Sequence, residues 1–135
     1  MTTDAREVWA MMADLVLSNQ RRREVSEAVG LSFGKTRALR RLARQPMSMG
    51  ELAAALGIDP PNATTLVDDL EKLGLVQRRP HPTDRRAKVV ETTKRGLALA
   101  RTADEILSCP PAALSRLPAA DLKDLQRILD SIRES

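Results

Sequence analysis

Aromatic residues are almost missing from this 135-residue chain, which has Trp9, Phe33 and no tyrosine. Sequence-tolerant binding of single strands and sequence-specific reading of RNA loops both depend on stacking bases against aromatic rings. A chain this poor in rings is better suited to duplex DNA. Cys109 is the only cysteine and His81 the only histidine, so neither an intrachain disulfide nor a Cys/His zinc cluster can be assembled. No run of about 18 apolar residues occurs, and Met1-Thr2-Thr3-Asp4 has neither a basic nor an apolar leader region. The expectation is a cytoplasmic protein without a membrane span. A phosphate-cradling glycine loop and a Ser/His/Asp set are also missing. The chain therefore reads as a non-enzyme with no catalytic residue, no metal site and no cofactor.

What is present is charge, unevenly placed. Residues 20–46 carry 8 basic and 2 acidic groups, and residues 76–96 carry 7 and 2, whereas the remaining segments are net acidic and the whole chain is +4. Basic segments often serve only as solvated faces, so the two stretches leave a phosphate partner open without establishing it.

The length suits one domain, and the chain reads as helices with one interruption. Residues 5–18 place Val8, Met11, Met12, Leu15 and Val16 at helical spacing. After a break at Gly30, Ser32 caps a second helix that turns Phe33, Thr36, Leu39, Leu42 and Ala43 to one face. Its Arg37, Arg40, Arg41 and Arg44 lie elsewhere on it. Ser48-Met49-Gly50-Glu51 has capping-box spacing and opens a short third helix that stops at Gly57. Asp59 then caps a fourth helix with Pro60 at its first position. The fourth helix buries Ala63, Leu66, Val67, Leu70 and Leu73, which turns Pro61, Asn62, Thr64 and Thr65 outward. Leu75–Arg79 and Ala87–Thr92 predict a hairpin whose basic tip contains Pro80, Pro82 and Asp84. Thr93 caps a fifth helix ending before Cys109-Pro110-Pro111, and Pro118 starts a sixth. The apolar stripe of the sixth helix includes Leu122, Leu125, Leu129 and Ile132, too much for a terminal helix to leave in water. It predicts either packing on the chain's own first helix or dimerisation, and dimerisation is preferred.

A helix pair followed by a basic hairpin fits DNA in two places. The second helix of the pair offers its N-terminal side chains and dipole to the major groove, and arginine on the hairpin suits the negative potential of a narrow minor groove.

Four motifs carry a family resemblance: Gly57-Ile58-Asp59, the run from Leu66 to Val76 with Asp68-Asp69-Leu70-Glu71-Lys72-Leu73-Gly74 inside it, Asp84-Arg85-Arg86-Ala87-Lys88, and Thr93-Lys94-Arg95-Gly96. In register over residues 32–96, they resemble the MarR family of transcriptional regulators. The resemblance implies a mainly α fold with a small β-hairpin wing, a winged helix-turn-helix plus N- and C-terminal dimerisation helices. It gives one domain over 1–135, with a DNA-binding lobe about 32–96 and dimerisation helices about 4–20 and 97–134. It implies a homodimeric repressor of a pseudo-palindromic double-stranded DNA operator, released by a small aromatic or anionic effector.

Carried over residue by residue, the resemblance places Pro60, Pro61, Asn62, Thr64 and Thr65 at the major groove, with Asn62 as the adenine reader. Arg86, oriented by Asp84, enters the minor groove, and Arg78, Arg79, Arg85 and Lys88 contact phosphates. Leu122, Leu125, Leu129 and Ile132 form the dimer interface. Unlike many members, this chain has no basic residue at positions 60–71 and three acidic ones, Asp68, Asp69 and Glu71. Affinity is therefore expected to lean on the hairpin and the second helix, with a steep salt dependence. The acidic helix also supports an alternative, a winged-helix protein-interaction adaptor that does not bind DNA. Cys109 has Asp104 and Glu105 as its nearest charges in sequence, which do not favour a thiolate, and reads as inert.

Overall fold

A computed structural model describes residues 2–19 and 21–134. Met1, Ser135 and Gln20, the last residue of the expected N-terminal dimerisation segment, lie outside them. The described residues form α1 (Ala5–Ser18), α2 (Arg22–Val29), α3 (Phe33–Arg44), β1 (Met47–Ser48), α4 (Met49–Leu56), α5 (Pro60–Lys72), β2 (Val76–Pro80), β3 (Lys88–Thr92), α6 (Lys94–Leu107), α7 (Ala112–Ser115) and α8 (Ala119–Arg133). The result is a mainly helical fold with one small antiparallel sheet.

Local chemistry sets most of the helix starts. Ser48 accepts the Glu51 backbone N–H at 3.2 Å while the Glu51 carboxylate accepts from the Ser48 backbone N–H at 3.5 Å, a complete capping box for α4. Gly57 ends α4 at φ +67°, a left-handed conformation that L side chains rarely adopt. Two residues later Asp59 accepts from the Asn62 backbone N–H at 2.9 Å and starts α5, with Pro60 at its first position.

The sheet runs β1-β3-β2. β2 and β3 pair from Val76↔Thr92 to Pro80↔Lys88, close to the expected hairpin. Met47 and Ser48 add a third strand against Val90 and Val89, which the sequence pattern does not announce. Helix α2 and the four-residue α7 are likewise additions.

The core is built from Leu39 and Leu42 of α3, Leu52 of α4, Val67 and Leu70 of α5, and Leu75, Val76 and Val90 around the sheet. Val25 and Val29 of α2 and Ala100 and Ala103 of α6 complete it. Helix α6 is fixed to the end of α5 at close quarters. The Thr93 hydroxyl donates to the Gly74 carbonyl at 2.7 Å, and a Cβ at Gly96 would overlap the carbonyl of Leu75.

Helices α1 and α8 bury no residue. Trp9, Met11, Leu15, Val16 and Leu17 of α1 are exposed, as are Leu122, Leu125, Ile128 and Ile132 of α8, with Leu129 half-buried. Packing of the α8 stripe on α1 of the same chain, one of the two outcomes the sequence allowed, is therefore not what this protomer does. Two apolar helix faces are left without cover. No helix among the described residues is long and apolar enough to cross a membrane.

Candidate nucleic-acid interface

The first turns of α5 project from the lobe. Pro60, Pro61, Asn62, Thr64 and Thr65 are all exposed, while Ala63 between them is fully buried and anchors the helix. The Asn62 side-chain amide donates to Asp59 at 3.0 Å, which fixes its orientation and leaves its carbonyl and second N–H outward. That is the donor–acceptor pair an adenine edge requires. The Thr64 and Thr65 hydroxyls donate to the carbonyls of Pro60 and Pro61 at 3.0 and 3.1 Å, so their methyl groups are what the surface offers.

The acidic residues of α5 do not form a free negative face. Arg78, on β2, donates to Asp68 at 2.6 Å and to Glu71 at 2.8 Å. Lys35 of α3 reaches Asp69 at 3.4 Å. The guanidinium of Arg78 holds its proton more firmly than usual, first through the hydrogen bond to Asp68, against the cost of burial, and then through the Coulombic pull of Glu71. Arg78 was expected at a phosphate. Its side chain fastens the wing to α5.

Arg79, also expected at a phosphate, pairs with Glu91 across the sheet at 2.8 Å. Gln77 donates to the other oxygen of the same carboxylate at 3.0 Å. Hydrogen bonds from Gln77 and then Arg79 hold Glu91 below the usual carboxylate range. The direct cross-strand pairing Gln77↔Glu91 is the signal that a register-aware reading of the sequence could have used.

Beyond Pro80 the wing tip is organised by its own short bonds. His81 N–H donates to Ala87 carbonyl at 3.1 Å, Ala87 N–H to Asp84 carbonyl at 3.2 Å, and Thr83 N–H to His81 Nδ1 at 3.2 Å. The Asp84 carboxylate accepts the backbone N–H of Arg86 at 3.0 Å. Asp84 thus shapes the turn that carries Arg86 and does not hold its guanidinium, because a carboxylate two residues back meets the backbone N–H first. Arg85, Arg86 and Lys88 are exposed and take part in no ion pair among the described residues. These three are the cations the wing has free. The arginines of α3 lie outside its buried arc; Lys35 of the same helix pairs with Asp69 of α5, and Arg40 pairs with Asp104 of α6.

A capped helix, a left-handed glycine turn and a second helix with its outer N-terminal face bare, followed by a sheet with a cationic tip, define a winged helix-turn-helix DNA-binding module. The sequence profile of the MarR family matches residues 29–87. The HTH-type transcriptional repressor Rv2887 of Mycobacterium tuberculosis is 32% identical over 116 residues, covering 82% of this chain and 84% of that protein. The chain belongs to the MarR family of winged-helix transcriptional regulators and is a DNA-binding regulator.

Its fold is that of solved members. The crystal structure of the MarR family protein Rv2887 has a TM-score of 0.69 at 26% identity, covering 97% of this chain and 96% of that one. Rv1404 of the same organism has a TM-score of 0.75 at 25% identity, with 98% and 95% covered. The apo form of wild-type MarR from E. coli has a TM-score of 0.72 over 98% of both chains, and at 19% identity it speaks for the fold alone.

Proposed function

We propose that this regulator is a homodimeric repressor of a pseudo-palindromic operator, with α5 in the major groove and the wing tip in the adjacent minor groove, released by a small aromatic or anionic ligand. The observation that carries the reading is the sorting of the basic side chains. Arg78 and Arg79, nearest the body of the lobe, are neutralised by carboxylates, whereas Arg85, Arg86 and Lys88 at the tip are bare. Charges left unpaired at the end of a braced hairpin are placed for DNA.

In this reading Arg86 enters the minor groove, and Arg85 and Lys88 contact phosphates. Asn62 pairs with adenine, and the Thr64 and Thr65 methyls touch thymine methyls, with Pro60 and Pro61 holding the helix start against the groove. The uncovered faces of α1 and α8 supply the dimer interface, Leu122, Leu125, Leu129 and Ile132 included. The ligand step and a cytoplasmic setting follow from the family resemblance. The adaptor alternative drew on an acidic recognition helix, and it weakens once Asp68, Asp69 and Glu71 are each seen to be paired.

Selection of bound fragments from genomic DNA, followed by fluorescence-anisotropy titration across salt, tests the proposal. Arg85 and Lys88 on two protomers make four phosphate contacts, so log affinity should fall with log salt at a slope of about −3 to −4. Absence of any enriched fragment, or binding indifferent to salt, would overturn it.

A further inference from the structure

A second concentration of positive charge lies away from the wing tip. Helix α3 places Arg37, Arg40, Arg41 and Arg44 at positions i, i+3, i+4 and i+7, within an arc of about 100°. The buried residues Ala38, Leu39 and Leu42 occupy the opposite arc. The four arginines line a surface cleft of about 150 Å³ to which no other described residue contributes. Only Arg40 has a carboxylate partner, Asp104 of α6. Arg37, Arg41 and Arg44 have none among the described residues, although Arg21, Arg23 and Lys35 nearby are each paired. Like charges three and four residues apart on a helix repel one another, so nothing in the fold itself calls for this arrangement.

The stripe reaches toward α6, where Arg40 meets Asp104. Toward α5 the helix presents Gly34, beside Leu66, and Lys35, paired with Asp69, while the four arginines stand outside the arc of Ala38, Leu39 and Leu42. Among the described residues, three of its guanidinium groups are left free to hold an anion.

The geometry limits that anion. Three free guanidinium groups spread over about 10 Å of helix call for several negative charges on one short ligand. Each planar fork matches a pair of phosphoryl oxygens. A single aromatic carboxylate brings only one charge, and pockets for whole drug-sized ligands are typically about 300–1,000 Å³.

We propose that the α3 arginine face is a binding site for a small phosphate-bearing polyanion with two or more phosphoryl groups in a row. Arg37, Arg41 and Arg44 engage the phosphoryl oxygens, and Arg40, held by Asp104, forms the fixed wall of the cleft. The proposal does not depend on the operator reading.

Isothermal titration of the full chain with inorganic triphosphate at near-physiological salt tests it, with inorganic phosphate as comparison. Triphosphate should bind at least roughly tenfold more tightly than monophosphate. R37Q/R41Q/R44Q changes only exposed side chains and should lose that binding with its circular dichroism unchanged, while R85Q/R86Q should keep it. No triphosphate binding at millimolar concentration overturns the proposal, and so does equal loss from the wing variant, which would mean a merely basic surface. The same α3 variant, titrated with operator DNA in the absence of triphosphate, should keep its affinity and salt slope. A reduced slope would make the stripe a DNA contact and overturn the site assignment, whereas failure of wild-type protein to bind DNA would count against the operator proposal alone.

Discussion

Arg78 of β2 and Asp68 of α5 are joined by a hydrogen-bonded ion pair of 2.6 Å, with Glu71 one turn along at 2.8 Å from the same guanidinium. The pair offsets one of the two carboxylate charges, as Lys35 offsets that of Asp69, and ties the wing to α5. Arg78→Ala should therefore weaken operator binding by exposing two carboxylates beside the phosphates. Stability should fall by about 1 kcal/mol or less, since Asp68 and Glu71 are partly exposed and solvent screens the pair. The decisive comparison is R78A/D68N/E71Q, measured by anisotropy titration on one operator with urea unfolding alongside. The triple variant should recover most of the affinity with an unchanged salt slope. If it stays as weak as R78A and the slope drops by about one per protomer, Arg78 contacts phosphate.

This pair also marks the boundary of what the sequence could tell. Helices α4, α5 and α6 were legible because their start signals are local: Ser48 with Glu51, Asp59 with Asn62, and Thr93 with Gly96 all form the expected bonds. The outward set on α5 was legible from periodicity, with Ala63, Val67 and Leu70 buried as expected, although Leu66 is half-buried and Leu73, at the helix end, is exposed. Helix α2 was missed because it starts at Arg21, in a left-handed conformation and with no side-chain cap. Strand β1 has only two residues, too few for any period, and its partner Val90 is distant in sequence. The exposure of the first turns of α5 and of the basic wing tip was legible, but who pairs with whom was not. The Arg78–Asp68 bond depends on how the sheet folds back on α5, and residue types ten positions apart do not specify that.

Arg86 is the residue on which minor-groove recognition rests in the proposed complex. Arg86→Ala should leave the fold intact, because its side chain makes no ion pair among the described residues. Each charge-assisted contact is worth about 1.5–3 kcal/mol, so the dimer should lose about 3–6 kcal/mol and bind at least roughly a hundredfold more weakly. Asp84→Ala loosens the turn through the lost backbone bond and should cost less. Arg85→Ala should chiefly lower the salt slope, by about one per phosphate contact. Wild-type affinity in a folded R86A protein, seen by anisotropy, would remove the minor-groove role.

Glu91 gives the wing a dependence on pH. Its carboxyl is held below its ordinary range by Gln77 and Arg79, so the folded state binds a proton less readily than the unfolded chain. The resulting stabilisation is complete above the unfolded pKa of about 4.3 and disappears as pH falls through the lower folded value. Wild type should therefore unfold at higher urea than Glu91→Gln near neutral pH, with the gap closing in acid. A gap that is constant down to about pH 3 would show that Glu91 is not coupled to the fold in this way.

The α8 stripe carries the remaining prediction. Leu122, Leu125, Ile128 and Ile132 are between 37% and 56% exposed, and α1 leaves Trp9 at 70%. Two helices with uncovered apolar faces on one protomer exceed what a monomer ordinarily shows to water, and a two-fold axis lets the same faces cover each other. Leu125→Glu with Leu129→Glu puts four charges into that interface, and sedimentation should report a monomer. The lobe should stay folded, because α8 buries no residue of its own and contributes none to the core. Operator affinity should collapse with dimerisation, since one recognition helix then reads one half-site where two had met the same face of the duplex, about 10 base pairs apart. A well-folded double variant that still sediments as a dimer would move the interface away from α8 and leave the half-site spacing without its structural cause.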